Sequence, residues 1–226
     1  MNDFKIRCSS ISKIMGIKGL GKTGETYCKE WLIEQIFNRR NEFTSKYTQK
    51  GKENEDEGID MIANYLGYPL LLKNDKKFEN EFCKGEPDII IDDLIIDVKN
   101  SWSCFTFPFF ENEVPNDVYY WQLQGYMWLT GKSKAKLIYT LTDTPEHLIL
   151  SEAKRYCYAN GYDELDLEIY KQFHDKMTYP DIDDKFKIKS FDIERNESDI
   201  KKIEQRVIEC RKVINELFYN ENEIKL

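Results

Sequence analysis

The stretch GEPDIIIDDLIIDVKNSW, residues 85–102, constrains the fold more than any other part of the chain. Two apolar runs, Ile89 to Ile91 and Leu94 to Ile96, flank Asp92 and Asp93. Short apolar runs around a two-residue polar turn read as a buried hairpin. Asp tolerates the left-handed backbone that such a turn needs. The register then pairs Ile91 with Leu94, Ile90 with Ile95 and Ile89 with Ile96, and sets Asp88 opposite Asp97. Opposed side chains share a face, with Cβ atoms ~5 Å apart. Lys99, two residues on, shares that face. Like charges opposite one another destabilise a sheet, and a cation between them removes the conflict. Oxygen-only ligands suit Mg²⁺ or Mn²⁺. Asp88 and Asp97 are the candidate metal ligands, with the Val98 carbonyl as an extra one. Lys99 beside them could orient or help deprotonate a water, or neutralise developing negative charge.

A third carboxylate comes from KGKENEDEGIDMIANYLG, which reads as part of one helix over residues 46–66 that stops at Gly67. Glu55, Ile59, Ile62 and Leu66 follow helical spacing and share the apolar stripe, whereas Glu53, Glu57, Asp60 and Asn64 form the polar face. Glu55 is thus the acid facing the core. The helix VYYWQLQGYMWLTG is apolar nearly all round, so it is expected to be buried. Its Gln122 and Tyr126 lie one turn apart, and a buried Gln needs partners for its amide. Gly125 between them permits close packing.

The remaining pattern predicts a short helix over 9–15 opened by Ser9 or Ser10, and a helix over 26–39. Strands are expected at 78–83, 87–91, 94–100, 135–142 and 186–194, with mainly helical chain over 145–180. Ile200, Ile203, Val207, Cys210, Ile214 and Leu217 step by three or four, one face of a last helix. With 226 residues, no repeat and few Pro or Gly, the simplest organisation is a single domain over 1–226. Its core spans about 46–142, with a C-terminal strand and helix at about 185–219.

Composition limits what such a chain can be. No apolar run approaches ~20 residues, and the start MNDFKIRCSS lacks a signal-peptide layout. Six scattered cysteines with no Cys-x-x-Cys argue against zinc or iron–sulfur chemistry and fit a reducing cytoplasm. The net charge of −8, from 33 basic and 41 acidic residues, excludes a general affinity for polyanions. Nucleic-acid binding would need a local basic groove or metal ions.

Four pieces in order resemble the PD-(D/E)XK nuclease superfamily, and more closely the phage recombination exonucleases of the lambda exonuclease type, the YqaJ-like viral recombinases. They are RCSSIS, GKENE with its acid four after Gly51, PDIIIDDLIIDVK and YWQLQGYMWLT, and FDIERNESDIKKI resembles the late strand and helix. The resemblance implies an α/β fold, with a mixed central β-sheet flanked by α-helices and a restriction-endonuclease-like core. It implies that Asp88 and Asp97 hold Mg²⁺ with Glu55 close by, that Lys99 assists the attacking water, and that Gln122 and Tyr126 support the site. Arg7, Ser9 and Ser10 are the candidate DNA contacts. Such relatives digest duplex DNA from the 5′ end and leave a 3′ overhang for a single-strand annealing partner, and some form trimeric rings. For a phage-encoded chain the compartment would be the host cytoplasm.

Two other readings compete. GIKGLGKT, residues 16–23, fits the P-loop expression letter for letter, but phosphate cradling needs a strand immediately before it and a helix immediately after. ISKIM is short and holds Lys13, and Gly24 and Glu25 delay the helix. Lys18 and Lys22 then either line a DNA path or are simply solvated. The other reading is an inactive nuclease-fold DNA-binding protein, against which the intact set of Asp88, Asp97 and Lys99 argues.

Overall fold

The computed structural model describes residues 4–41 and 44–223; Met1 to Asp3 of the MNDFKIRCSS start lie outside them. Strand β1 (Ile6–Arg7) leads into a 3-10 helix, Cys8–Ile14, and then helix α1 (Gly21–Phe37). Helices α2 (Lys46–Glu53) and α3 (Glu55–Leu66) follow, then the short strands β2 (Phe78–Glu79) and β3 (Cys83–Gly85). The hairpin is β4 (Ile89–Ile91) and β5 (Leu94–Asn100). Next come α4 (Asp117–Thr130), β6 (Lys134–Thr140), α5 (Glu146–Ala159), α6 (Leu167–Met177), β7 (Ile188–Glu194) and α7 (Glu197–Glu223).

The strands form two mixed sheets. A four-stranded sheet has the order β4-β5-β6-β7, and a three-stranded one the order β1-β3-β2. In the larger sheet only β5 and β6 run parallel, joined through α4. Alternation along β5 divides the core. Ile95 packs with Leu123 and Met127 of α4 and Ile203 and Val207 of α7 on one face. Ile96 and Val98 pack with Ile59, Ile62 and Ala63 of α3 on the other. The mixed sheet flanked by helices expected from sequence is therefore present, with the smaller sheet in addition.

Several boundaries differ from the sequence reading. The expected helix over 46–66 breaks at Asn54, which ends α2 and starts α3. The side-chain amide of Asn54 donates to Thr142 Oγ1 and the Asp143 carbonyl, 3.0 and 2.6 Å away. These tertiary bonds hold the residue outside helical geometry. The expected strand over 78–83 is two strands, because Asn80 Oδ1 accepts from both the Phe82 and Cys83 amides and folds a turn. The first helix is 3-10, begins at Cys8, and has Arg7 rather than Ser9 or Ser10 at its N-cap.

The P-loop reading fails on structure. A 3-10 helix precedes GIKGLGKT where a strand is required, and α1 already starts at Gly21. A Cβ at Gly16 would lie 2.6 Å from the Gly19 carbonyl oxygen, so the loop folds on its own carbonyls. Lys18, Lys22 and Thr23 are solvent-exposed. Among the described residues no helix is long and apolar enough to cross a membrane.

Gly125 is where α4 meets the first 3-10 helix. A Cβ there would lie 2.5 Å from Ile11 Cδ1 and 2.8 Å from Cys8 Sγ, both fully packed. Overpacking costs ~1–3 kcal/mol, while Ala gains ~1 kcal/mol in helix propensity. Gly125→Ala is therefore expected to lose about 1 kcal/mol net. A lower urea midpoint at unchanged slope would show it; an unchanged midpoint would mean that the two elements can separate freely.

Candidate active site

The site lies where β4 stops short of β5. The register Ile89↔Ile96, Ile90↔Ile95, Ile91↔Leu94 is the expected one, with Asp92 at φ 45° in the turn. Asp88, however, is not a ladder partner of Asp97. Its carbonyl accepts from the Asn74 amide at 2.7 Å, and Asn74 Nδ2 also holds the Pro87 carbonyl at 2.9 Å. Thus drawn away, Asp88 turns its carboxylate into the strand edge, where Oδ2 accepts from the Val98 amide at 2.7 Å. A strand residue directs its N–H and C=O to the same side. The Val98 carbonyl therefore opens on the edge that Asp88 occupies.

Asp97 lies on the α4 face of β5 and is 1% exposed. Gln122 Nε2 donates to its Oδ1 at 2.9 Å and to Tyr126 Oη at 3.0 Å. The other oxygen, Oδ2, is buried against the Lys99 ammonium, 2.6 Å away. Lys99 Nζ also lies 5.2 Å from the centre of the Tyr119 ring. Glu55 reaches the same region from the α3 face and pairs with Lys73 at 2.7 Å. Glu55, Asp88, Val98 and Lys99 line one cleft of about 450 Å³, with Tyr47, Lys52 and Tyr119 among its walls.

The charges perturb one another. Burial, then the Asp97 charge, pushes the Asp88 carboxyl up to about 7, against the pull of Lys99 and the Val98 amide. Burial alone would lower the Lys99 pKa, but Asp97 and then Asp88 outweigh it, and the net shift is upward. Burial, then Asp97, also holds the Tyr126 phenol well above its usual range.

Among the described residues no three His, Cys, Asp or Glu side chains form a ready-made metal cluster. The reason is geometric: Glu55 and Asp97 approach β5 from opposite faces, and each is held by a lysine. The donors are all oxygens nevertheless. Asp97 Oδ2 meets the Lys99 ammonium alone among the hydrogen-bond and ion-pair partners of the described residues, and the Asp88 carboxylate and Val98 carbonyl share one edge. That chemistry fits a small hard cation such as Mg²⁺ or Mn²⁺.

A second, larger cleft of about 690 Å³ lies beyond Tyr126. Arg7 and Ser9 line it, together with Arg40, Lys77 and Lys84. Ser10 does not. Sequence reasoning missed Arg40, Lys77 and Lys84, which come from three separate segments with no shared motif. It also missed Lys73, the partner of Glu55, and the buried Lys50, which lies in a polar segment where no periodicity marks it.

No protein-family model and no curated protein matches the chain. Solved structures do. The phage related exonuclease from Haemophilus somnus 129PT is 30% identical, with a TM-score of 0.79 over 97% of both chains. The alkaline exonuclease LHK-Exo from Laribacter hongkongensis is 14% identical, with a TM-score of 0.69 over 99% of this chain and 95% of the other. The same LHK-Exo in complex with dAMP gives 15% and 0.67, over 97% and 94%. The fold is that of a nuclease. The chain belongs to the phage-related exonucleases of the lambda exonuclease type, within the PD-(D/E)XK superfamily.

The raised Asp88 pKa makes stability depend on pH. Between about 3.8, the ordinary value, and about 7 the folded state holds a proton that the unfolded state has lost. Stability contributed by Asp88 is therefore fully present below about 3.8 and is lost progressively as pH rises from there through about 7. Asp88→Asn keeps an acceptor for the Val98 amide but cannot ionise. In EDTA it is expected to raise the melting temperature most at pH 8, clearly less at pH 5, and little below about pH 3.8. An equal effect at pH 8 and pH 5 would refute the assignment.

Proposed function

We propose that this chain is a divalent-cation-dependent exonuclease that hydrolyses phosphodiester bonds at the ends of linear duplex DNA, 5′ to 3′. The observation that carries this reading is the Asp97 carboxylate. It is buried, fixed by Gln122, and left with one oxygen facing Lys99 at an open strand edge. Asp88, Asp97 and the Val98 carbonyl would hold Mg²⁺ or Mn²⁺, with Glu55 at the cleft wall. When bound, such an ion polarises a phosphoryl oxygen and lowers the pKa of a coordinated water.

The chain's own residues divide the other tasks. In the metal-free protein Lys99 stays an ammonium, since its pKa is raised. Its part is to orient a water and offset negative charge building on the phosphate. Gln122 keeps Asp97 from rotating, because its amide is shared with Tyr126 Oη. The cleft lined by Arg7, Ser9, Arg40, Lys77 and Lys84 would take backbone phosphates. A net charge of −8 requires such contact to be local. Family likeness supports a role in phage-type recombination or repair in the host cytoplasm, a single-strand annealing partner and a ring-shaped homotrimer.

End-labelled linear and closed circular duplex DNA test this reading in Mg²⁺ and in EDTA. Linear DNA is expected to be degraded in Mg²⁺ alone, with circles intact. Asp97→Ala and Lys99→Ala are each expected to slow digestion by at least about 100-fold. Cutting of closed circles overturns the exonuclease assignment, activity in EDTA overturns the metal, and activity surviving either substitution overturns the site.

A further inference from the structure

Helix α2 supplies none of the acids, yet its inner face is fastened to the ends of both β5 and β6. Lys50 is fully buried. Its Nζ donates to the Thr142 carbonyl at 2.9 Å and the Trp102 carbonyl at 3.2 Å. It forms no ion pair among the described residues, and burial draws its pKa down to about 8 despite Asp143 and Glu57 nearby. An ammonium buried without an ionic partner is costly. A methionine of similar length would fill the same space without that cost, so the two carbonyl contacts are what distinguish lysine here.

Those carbonyls lie just past the site. Trp102 is three residues after Lys99, and Thr142 follows the neighbouring strand β6. Further contacts converge on the same junction. Asn100 Nδ2 donates to the Gly51 carbonyl at 3.4 Å, and Thr140 Oγ1 bonds to Asn100 Oδ1. The Tyr47 ring meets Trp102 edge-on at 5.2 Å, with Lys46 Nζ 5.0 Å from the Trp102 ring. Asn54, at the break between α2 and α3, ties to Thr142 and Asp143. Glu55 follows that break directly.

We propose that Lys50 is a positioning residue: by drawing the Trp102 and Thr142 carbonyls onto α2, it fixes the end of β5 and thereby the spacing of Lys99 from Glu55. The proposal rests on the nuclease reading. It assigns Lys50 no contact with DNA and no part in proton transfer. Its effect is therefore expected on turnover and not on DNA affinity.

Steady-state digestion of linear duplex DNA by native protein, Lys50→Met and Lys50→Arg, each with a melting curve, tests it. Lys50→Met is expected to melt as one transition and to lose roughly 10- to 100-fold in kcat, with KM within about two-fold, the scale of a misplaced catalytic group. Lys50→Arg, which keeps donors for both carbonyls, is expected to recover most of that loss. If Lys50→Met does not fold, Lys50→Gln is read in its place. Native turnover in the neutral variant, a loss confined to KM, or an arginine variant as slow as methionine overturns the proposal. Inactive native protein would instead overturn the nuclease reading itself, so the two failures are separable.

Discussion

The structure is organised around one buried carboxylate. Asp97 sits in the middle of a seven-residue strand whose neighbours on both faces are apolar, and it is almost fully enclosed. An ionised carboxylate in such a place needs hydrogen bonds and a counter-charge. Gln122 supplies the first and Lys99 the second. Both come at a structural cost to the surroundings. Gln122 must be carried on the buried middle of α4, residues 122–127, so that stretch has to pack tightly over β5. Close approach at Gly85 serves that end: a Cβ there would lie 2.6 Å from the Tyr126 ring and 2.9 Å from Cys8 Sγ. The Asp97–Gln122–Tyr126 line thus reaches from the sheet through α4 to the first 3-10 helix, and the two clefts open on either side of it.

The early end of β4 is the complementary feature. Had pairing continued, the Val98 amide and carbonyl would be spent in the ladder. Instead Asn74 pulls the Asp88 backbone aside, and the Asp88 carboxylate takes the place of the missing strand at Val98. The edge so exposed is accessible from both faces of the sheet. That explains why the acids do not gather into a tight cluster. Asp97 belongs to the α4 face, Glu55 to the α3 face, and Asp88 to the edge between them. Lys73 pairs with Glu55 and Lys99 with Asp97, which balances their charge.

Local patterns in the sequence carried much of this. The hairpin register followed from Asp92-Asp93 and six apolar residues, and the last helix from the spacing of Ile200 to Leu217. Residues selected by periodicity were placed well: Ile59 and Ile62 are buried, and Gln122 and Tyr126 do touch. What escaped depends on contacts far apart in sequence. Nothing local reveals that Asn54 bonds Thr142, 88 residues away, and so breaks a helix whose propensity runs through it. Nothing separates Lys50 from Lys46 or Lys52 until β5 and β6 are packed against α2. The P-loop match failed for the converse reason: its letters are local, but its function depends on a preceding strand that this chain does not form.

The negative net charge ceases to be an objection once the charges are placed. The proposed site sits at the β4–β5 edge, and the neighbouring cleft carries four cations, Arg7, Arg40, Lys77 and Lys84, against two acids, Glu79 and Glu86. A groove of acids, Glu113, Asp117, Asp192 and Glu194, runs along β7 at the far edge of the sheet. Strands are spaced ~4.8 Å apart, so that edge is about 10 Å from β5. The Debye length is ~8 Å at physiological ionic strength. Screening therefore weakens the repulsion of the far acids, while phosphates in the basic cleft would meet its cations at contact. Binding of this kind depends on a few local cations and falls steeply with added salt. Net charge is a sum over the whole surface, and DNA held at one edge of this sheet would sample only the nearest part of it.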